Sequence, residues 1–512
     1  MRVPLFLQPR LEPPLSSLLA APDLLHTLVD ALGSPLNVVL PDRIAENAER
    51  FRAVYRRHHL GGRISFAHKA NRSSALLRRL AATDPAGVGV DVASLNELQH
   101  ALGCGFTPDR ITATGPKDPG FLWLAARMGV TVHPDSVTEL EQLAELVRKF
   151  ALPRIVVVPR LSGFETATGT GTGTGTGLDT ATGSGVSGVK TLSRRSRFGI
   201  PVGEVGALLD TLERHRDAVE PVGVAYHLDT TGLAEKAVAL ESCVGVMDEF
   251  RARGLDPRFV DIGGGFGVSY VQDAAQWDRY TTELSNAVLG TRPALTWRGH
   301  GYGLRNEGGT LRGALGLYPA HRPTAGPGYL DELLSAPAPA SGRPPATLLL
   351  EHLYDLSVQP GRALLDQCGA VLARVLDVRP TGSGDHLVRL GMNAGDMSLE
   401  EHGVIVDPVL LPHGGGGGGQ DADDGPVGVH LFGNLCLEAD LITRRTVFLP
   451  RLPRVGDLLA FANTAGYAMD FHAHSAQRQP LARTVAVTRD GGSWRWCLDE
   501  EYWPITRPGG PA

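Results

Sequence analysis

The sequence predicts an α/β fold, a (β/α)8 barrel of the TIM type followed by a C-terminal β-rich domain. Three observations predict it. Apolar runs of strand length alternate with helix-length amphipathic segments over most of the chain. The ends of those runs carry a lysine, an acid, an arginine, a histidine and two glycine-rich turns, the set a barrel enzyme presents at the C-terminal ends of its strands. From about Gly384 the texture changes to short β-like runs, VIVDPVLL, RTVFLP, LLAFAN and TVAVTR.

In order, the barrel strands are expected at RISFA (63–67), VGVD (88–91), RITAT (110–114), VTVH (130–133), RIVVVPR (154–160), PVGVAYH (221–227), RFVDI (258–262) and DLSVQ (355–359). Helical patterns lie between many of them, at 136–151, 202–219 and 231–254, with apolar residues at three- and four-residue spacing. Repeated strand–helix units imply a parallel sheet, and eight of them suggest a closed barrel rather than an open doubly wound sheet. The barrel is placed at 42–376, with insertions at 164–190 and 299–346. Residues 1–41 and 377–512 are expected to form the β domain, with a mobile loop at 413–425. The TG-rich stretch Phe164 to Lys190 has too much glycine to order cheaply, Ser335 to Ala346 reads as a Pro/Ala linker, and His413 to Gly425 as a polar loop. GHGYGLRNEGGTLRGALGLYPAHR (299–322) is expected as a flexible surface insertion rather than a lid or substrate cover.

Bulk properties narrow the function. A chain of 512 residues with 42% apolar residues can bury a large core. Its formal net charge of −6 offers no basic surface to nucleic acid or an anionic membrane. No run of apolar residues is long enough to span a bilayer, and the leucine-rich start is broken by Pro22 and Asp23 with no basic region before it, unlike a signal peptide. The 5 cysteines form no CxxC pair, which argues against a disulfide framework and against a zinc site and fits a cytoplasmic protein.

The strand ends carry the chemistry. Lys69 ends ISFAHKAN; a lysine at the end of a buried strand either reaches water or uses its amine. DIGGGFG (261–267) follows an apolar strand, and consecutive glycines let backbone N–H groups converge on an anion without Cβ obstruction. QPGR (359–362) adds a second turn with a guanidinium suited to phosphate or carboxylate. A phosphate pocket beside a strand-end lysine suggests a phosphorylated aldehyde bound as a Schiff base, that is, pyridoxal 5′-phosphate (PLP).

FAHKAN, VGVDVASLNEL, SRFGI, YHLDT, DIGGGFG, QPGR, NLCLEAD and NTAGY, in that order over roughly residues 35–480, resemble the motifs of the fold-type III PLP-dependent decarboxylases. That group comprises the diaminopimelate, ornithine and arginine decarboxylases, on a barrel shared with alanine racemase; the chain looks like an outlying bacterial branch of it. The resemblance implies that Lys69 carries the cofactor and later donates a proton, and that His227 lies against the pyridine ring. Gly264, Gly265, Gly361, Arg362 and Tyr467 would surround the phosphate, with Thr230 in place of the family's serine. Asp91, Arg160 and Glu97 would be supporting polar contacts, and Asp261 would support the glycine turn. Cys436 resembles a cysteine that reaches into the neighbouring subunit's site, which implies a homodimer with shared active sites.

Three positions depart from the pattern. The family's glutamate before PGR, which favours a protonated pyridine nitrogen, is Gln359, a neutral amide expected to weaken the electron sink. The acid that receives a distal amino group of the substrate is replaced by Leu437, and Glu438 would point to the opposite face of an extended strand. Asp229 replaces a glycine beside the phosphate. The expected activity is therefore α-decarboxylation of an amino acid with altered substrate recognition. An amino-acid racemase or epimerase, favoured by Gln359, and a PLP-binding protein with little turnover stand as alternatives.

Overall fold

The computed structural model describes residues 4–84, 86–164, 196–228, 232–382, 384–414 and 425–504. The loops expected at 164–190 and 413–425 lie almost wholly outside those residues, as do Asp229 and Thr230.

Strand β1 (Leu36–Val39) precedes the parallel strands β2 (Gly62–Ala67), β3 (Val88–Val92), β4 (Ile111–Ala113), β5 (Thr131–Val132), β6 (Ile155–Val157), β7 (Arg160–Ser162), β8 (Ile200–Pro201), β9 (Val219–Pro221), β10 (Gly223–Tyr226) and β11 (Phe259–Asp261). A hairpin, β12 (Arg305–Glu307) and β13 (Thr310–Arg312), precedes the last barrel strand, β14 (Asp355–Val358). The pairing closes a ring. β2 pairs β3 and β14, β14 pairs β11, and β11 pairs β10; on the other side β3, β4, β5 and β6 follow in order. β10 then pairs β7, and β9 pairs β6. The single runs expected at 154–160 and 221–227 are each split in two, at Val158-Pro159 and at Val222, because proline has no N–H to keep the ladder regular. Counted as interrupted strands, β6/β7 and β9/β10 make the barrel eight-stranded, with the two-residue β8, paired only to β7, left out of the count.

Local chemistry explains why the units form. Serine or aspartate caps the helices that follow the strands: Ser73, Ser94, Asp118 and Ser136 each accept the backbone N–H three residues on. Glycine stands where strands approach too closely for a side chain. A Cβ on Gly223 would lie 2.0 Å from the Phe259 carbonyl oxygen.

The second sheet holds β15 (Gly369–Pro380), β16 (His386–Leu390), β17 (Val409–Leu411), β18 (Val427–Phe432), β19 (Val447–Leu449), β20 (Leu458–Ala462), β21 (Arg483–Asp490) and β22 (Ser493–Leu498). Its order is β19-β18-β16-β15-β1-β21-β22, with β20 joining β15 to β17. The N-terminal strand β1 thus sits inside the C-terminal sheet. The helices Pro13–Leu19 and Pro22–Leu32 bury Leu15, Leu18, Leu25 and Leu28 in one cluster with Leu36, Val38, Leu372 and Val485. Among the described residues no single helix is long and apolar enough to cross a membrane.

The stretch 299–322 is packed rather than free. Its hairpin β12–β13 is largely exposed, but Tyr302, Leu317 and Ala320 are buried. The Tyr270 N–H donates to the Ala320 carbonyl at 2.7 Å, and the Tyr318 N–H to the Gly403 carbonyl at 2.9 Å. The segment therefore ties the chain beyond the glycine turn to the β domain.

Candidate active site

Four of the sequence motifs meet around Lys69. Ile64 and Phe66 of β2 are buried, and the strand ends in one turn of 3-10 helix, His68–Ala70, in which Lys69 is exposed. That turn is held from two sides. The Ala67 N–H donates to the Pro360 carbonyl at 3.3 Å, and the Tyr467 N–H donates to the Ala70 carbonyl at 2.9 Å. Tyr467 has a left-handed backbone (φ 66°), as do Asn463 and Asp470 nearby; each such non-glycine residue costs roughly 1–3 kcal/mol and persists because surrounding contacts fix it. FAHKAN, QPGR and NTAGY are thus one constellation, and DIGGGFG joins it through the bond from the Gln359 N–H to the Gly263 carbonyl, 2.8 Å.

Asp91 stands next to the end of β3, is buried, and has one carboxylate oxygen without a hydrogen-bond partner among the described residues. Burial pushes its pKa up to about 6, against the opposing charge of Lys69. Arg160 opens β7, 3.5 Å from Asp135, with the Phe198 ring of SRFGI 4.9 Å from its guanidinium carbon. Glu97 accepts the Ala93 N–H at 2.6 Å and faces His68 Nδ1 at 3.5 Å.

His227 follows β10, and its Nδ1 accepts the Gly264 N–H at 3.0 Å. A ring nitrogen that accepts from a backbone amide carries no proton, so the proton is on Nε2 and the ring is neutral. Burial, with Lys236, Lys69 and Arg160 nearby, pushes the His227 pKa down to about 3.

The glycine turn divides its groups between two tasks. The Gly263 N–H donates to Asp261 Oδ1 at 2.8 Å, and the Gly264 N–H goes to His227. The N–H groups of Gly265 and Phe266 donate to no acceptor among the described residues. Side chains would close the turn: a Cβ on Gly264 would meet the Gln359 carbonyl oxygen at 2.8 Å, and one on Gly361 would meet Tyr467 Oη at 2.6 Å. Arg362 donates to Tyr270 Oη at 2.9 Å and lies over the rings of Tyr270, Tyr318 and Tyr467, with no carboxylate partner among the described residues.

Lys236 is the residue that sequence reading missed. It is 0% exposed, and its Nζ donates to the Gly264 carbonyl at 2.5 Å. In a trans peptide the C=O and N–H point opposite ways. Holding the Gly264 carbonyl therefore aims the Gly265 N–H away from Lys236. Its signal was present: Lys236, Leu240, Cys243, Met247 and Phe250 are spaced four, three, four and three, so the lysine shares the buried face of the helix Leu233–Ala252.

Cys436 stands apart. It is exposed, as is Leu437 (56%), and its N–H donates to Gln477 Oε1 at 3.0 Å. Glu438 pairs with Arg298, just before the 299–322 stretch, at 3.0 Å, both well exposed.

Residues 42–296 match the pyridoxal binding domain of the pyridoxal-dependent decarboxylases. The chain belongs to that family. Its cofactor is PLP. An uncharacterized Sinorhizobium fredii protein, y4yA, is 29% identical over 462 residues, 90% of this chain and 88% of that protein. The diaminopimelate decarboxylase of Methanothermobacter thermautotrophicus is 28% identical over 271 residues, and the match spans 51% of this chain and 56% of that enzyme. The barrel-plus-β-domain fold is that of diaminopimelate decarboxylase from M. jannaschii in complex with L-lysine. The TM-score is 0.64 at 18% identity, covering 90% of this chain and 89% of that one. The donors around the glycine turn fit a phosphate. Among the described residues the N–H groups of Gly265 and Phe266 have no acceptor, the Arg362 guanidinium lies over the Tyr467 ring with no carboxylate partner, and a side chain at Gly264 or Gly361 would not fit.

Proposed function

We propose that the chain is an amino-acid α-decarboxylase that attaches its cofactor to Lys69. The observation that carries this reading is the double fixation of the Lys69 turn, by the QPGR turn on one side and the NTAGY loop on the other. When bound, PLP accepts the electron pair that departing CO2 leaves on the substrate carbon. The protein's own groups do the rest. Gly265, Gly361, Arg362 and Tyr467 bind the phosphate, joined by Thr230, and Gly264 fixes the turn they share. His227, neutral and tied to Gly264 through Nδ1, is a flat, uncharged support for the pyridine ring. Asp91 and Arg160 set the charge around Lys69 Nζ, which holds the proton that replaces the carboxylate on the substrate carbon. The partner subunit's Cys436 completes the site in a homodimer; the exposure of Cys436 and Leu437 supports that reading.

Substrate recognition differs from that of the diaminopimelate and ornithine enzymes. Leu437 offers no charge to a distal ammonium, and Glu438 is engaged by Arg298. The test is CO2 release from PLP-loaded protein given pooled L- and D-amino acids, including meso-diaminopimelate, ornithine and arginine. Release that vanishes in Lys69→Ala is the expected result. Inversion of the α-carbon without CO2 would make the protein a racemase instead.

A further inference from the structure

We propose that Asp261, acting through the amide of Gln359, holds the pyridine nitrogen of the bound cofactor in its protonated form. The inference rests on the decarboxylase reading above and deepens it, because the protonated ring is the stronger electron sink.

Gln359 Nε2 donates to Asp261 Oδ2 at 3.0 Å. A carboxylate only accepts, whereas an amide has one donating and one accepting end. With Asp261 ionised, as a cation across Gln359 would keep it, reversing the amide would set Oε1 against Oδ2, two acceptors facing each other. The donating end is thus committed to Asp261, and Oε1 is the end left for a ligand; nothing among the described residues donates to it. The backbone fixes the pair further, through Gln359 N–H to the Gly263 carbonyl and Gly263 N–H to Asp261 Oδ1, both 2.8 Å. Asp261 and Gln359 therefore brace the same glycine turn.

An oxygen at that position selects for a hydrogen. The family places a glutamate before PGR facing the ring nitrogen, and Gln359 stands in its place. An unprotonated nitrogen would meet Oε1 lone pair to lone pair, whereas a protonated one donates to it. The negative charge that glutamate would supply directly is set one amide back, on Asp261. That carboxylate is buried, with Arg160 favouring its charge and Asp91 opposing it, and with Gly263 N–H and Gln359 Nε2 as its hydrogen-bond donors. A cation across Gln359 supplies the compensation that burial withholds, and Asp261 favours that cation in return. Gln359 thus no longer favours racemisation: an amide free to turn could serve an unprotonated nitrogen, but one tethered to Asp261 offers it only oxygen.

The experiment loads the full-length protein with PLP isotopically labelled at the ring nitrogen and follows its NMR chemical shift against pH. The same preparation is assayed for CO2 release. In the wild type the nitrogen should stay protonated through neutral pH. Asp261→Asn should lower its apparent pKa by at least one unit, Gln359→Leu should abolish protonation at neutral pH, and Gln359→Glu should keep it. If Asp261→Asn does not fold, Gln359→Leu still answers, because it leaves Asp261 bonded to Gly263. An unprotonated wild-type nitrogen, or an Asp261→Asn protein that titrates with the wild type, overturns the inference even if CO2 is released. A protonated nitrogen with no CO2 from any amino acid supports the inference and overturns the decarboxylase reading.

Discussion

A buried cation at Lys236 and a buried acid at Asp261 lie on two sides of one glycine turn, and each has a measurable consequence. Lys236 Nζ holds the Gly264 carbonyl, so Lys236→Met frees the Gly264–Gly265 peptide to rotate and removes a charged hydrogen bond. Such a bond is worth about 1.5–3 kcal/mol, so cofactor affinity should fall roughly 10- to 100-fold in a fluorescence titration with PLP. Unchanged affinity would mean that the turn is rigid without the lysine. Asp261 has its pKa pushed from 3.8 to about 7, chiefly by burial. Its folded value lies above its unfolded one, so the native apoprotein holds a proton that the unfolded chain releases, and stability falls as pH rises across that window. Asp261→Asn has no such dependence. Urea denaturation without PLP should show the variant gaining on the wild type from pH 4 to 7; a constant difference would show that Asp261 ionises without penalty. Lys69, Asp91, Arg160, His227 and Arg362 were legible because strand ends can be read from periodicity. Lys236 was not, because a lysine in a helix is usually solvated, and its buried face shows only when the helix is placed against the barrel.

At the scale of elements, the NTAGY loop and the QPGR turn lock into each other. Gly361 leaves no room for a side chain: a Cβ would lie 2.6 Å from Tyr467 Oη and 3.1 Å from Ala70 Cβ. Gly361→Ala should displace the Tyr467 hydroxyl and weaken PLP binding at least tenfold, while the barrel strands, which do not depend on that contact, keep the melting temperature of the apoprotein within a few degrees. A large loss of apoprotein stability with unchanged PLP affinity would place Tyr467 outside the phosphate site. The stretch 299–322 shows where pattern reading stops. It is expected as a flexible surface insertion, yet Tyr318 Oη lies 2.8 Å from the Val268 N–H as its acceptor, and the Tyr318 ring covers Arg362. Single tyrosines that dock on another motif leave no periodic signal.

For the whole molecule, the exposed Cys436 and Leu437 and the interior position of β1 in the C-terminal sheet matter most. If active sites are shared between two subunits, Lys69→Ala and Cys436→Ala chains are each inactive but complement one another. Random re-pairing makes half of the dimers mixed, each with one intact site of two, so about one quarter of wild-type activity should return on mixing. No recovery, with dimers present by light scattering, would confine each site to one chain.

The sequence by itself determined the alternation that builds the barrel, the order of its strands and the lysine, histidine and glycine turns at their ends, because strand and helix periods are local properties of the chain. Only the tertiary structure decided which groups those residues spend on one another. Gly264 gives its N–H to His227 and its carbonyl to Lys236, and Gln359 gives its donating end to Asp261. Those pairings join residues 28 to 98 positions apart, and hydrogen-bond direction depends on which group faces which after the barrel closes. A glutamine read alone is a neutral substitute for glutamate; a glutamine backed by a buried carboxylate is a directed acceptor.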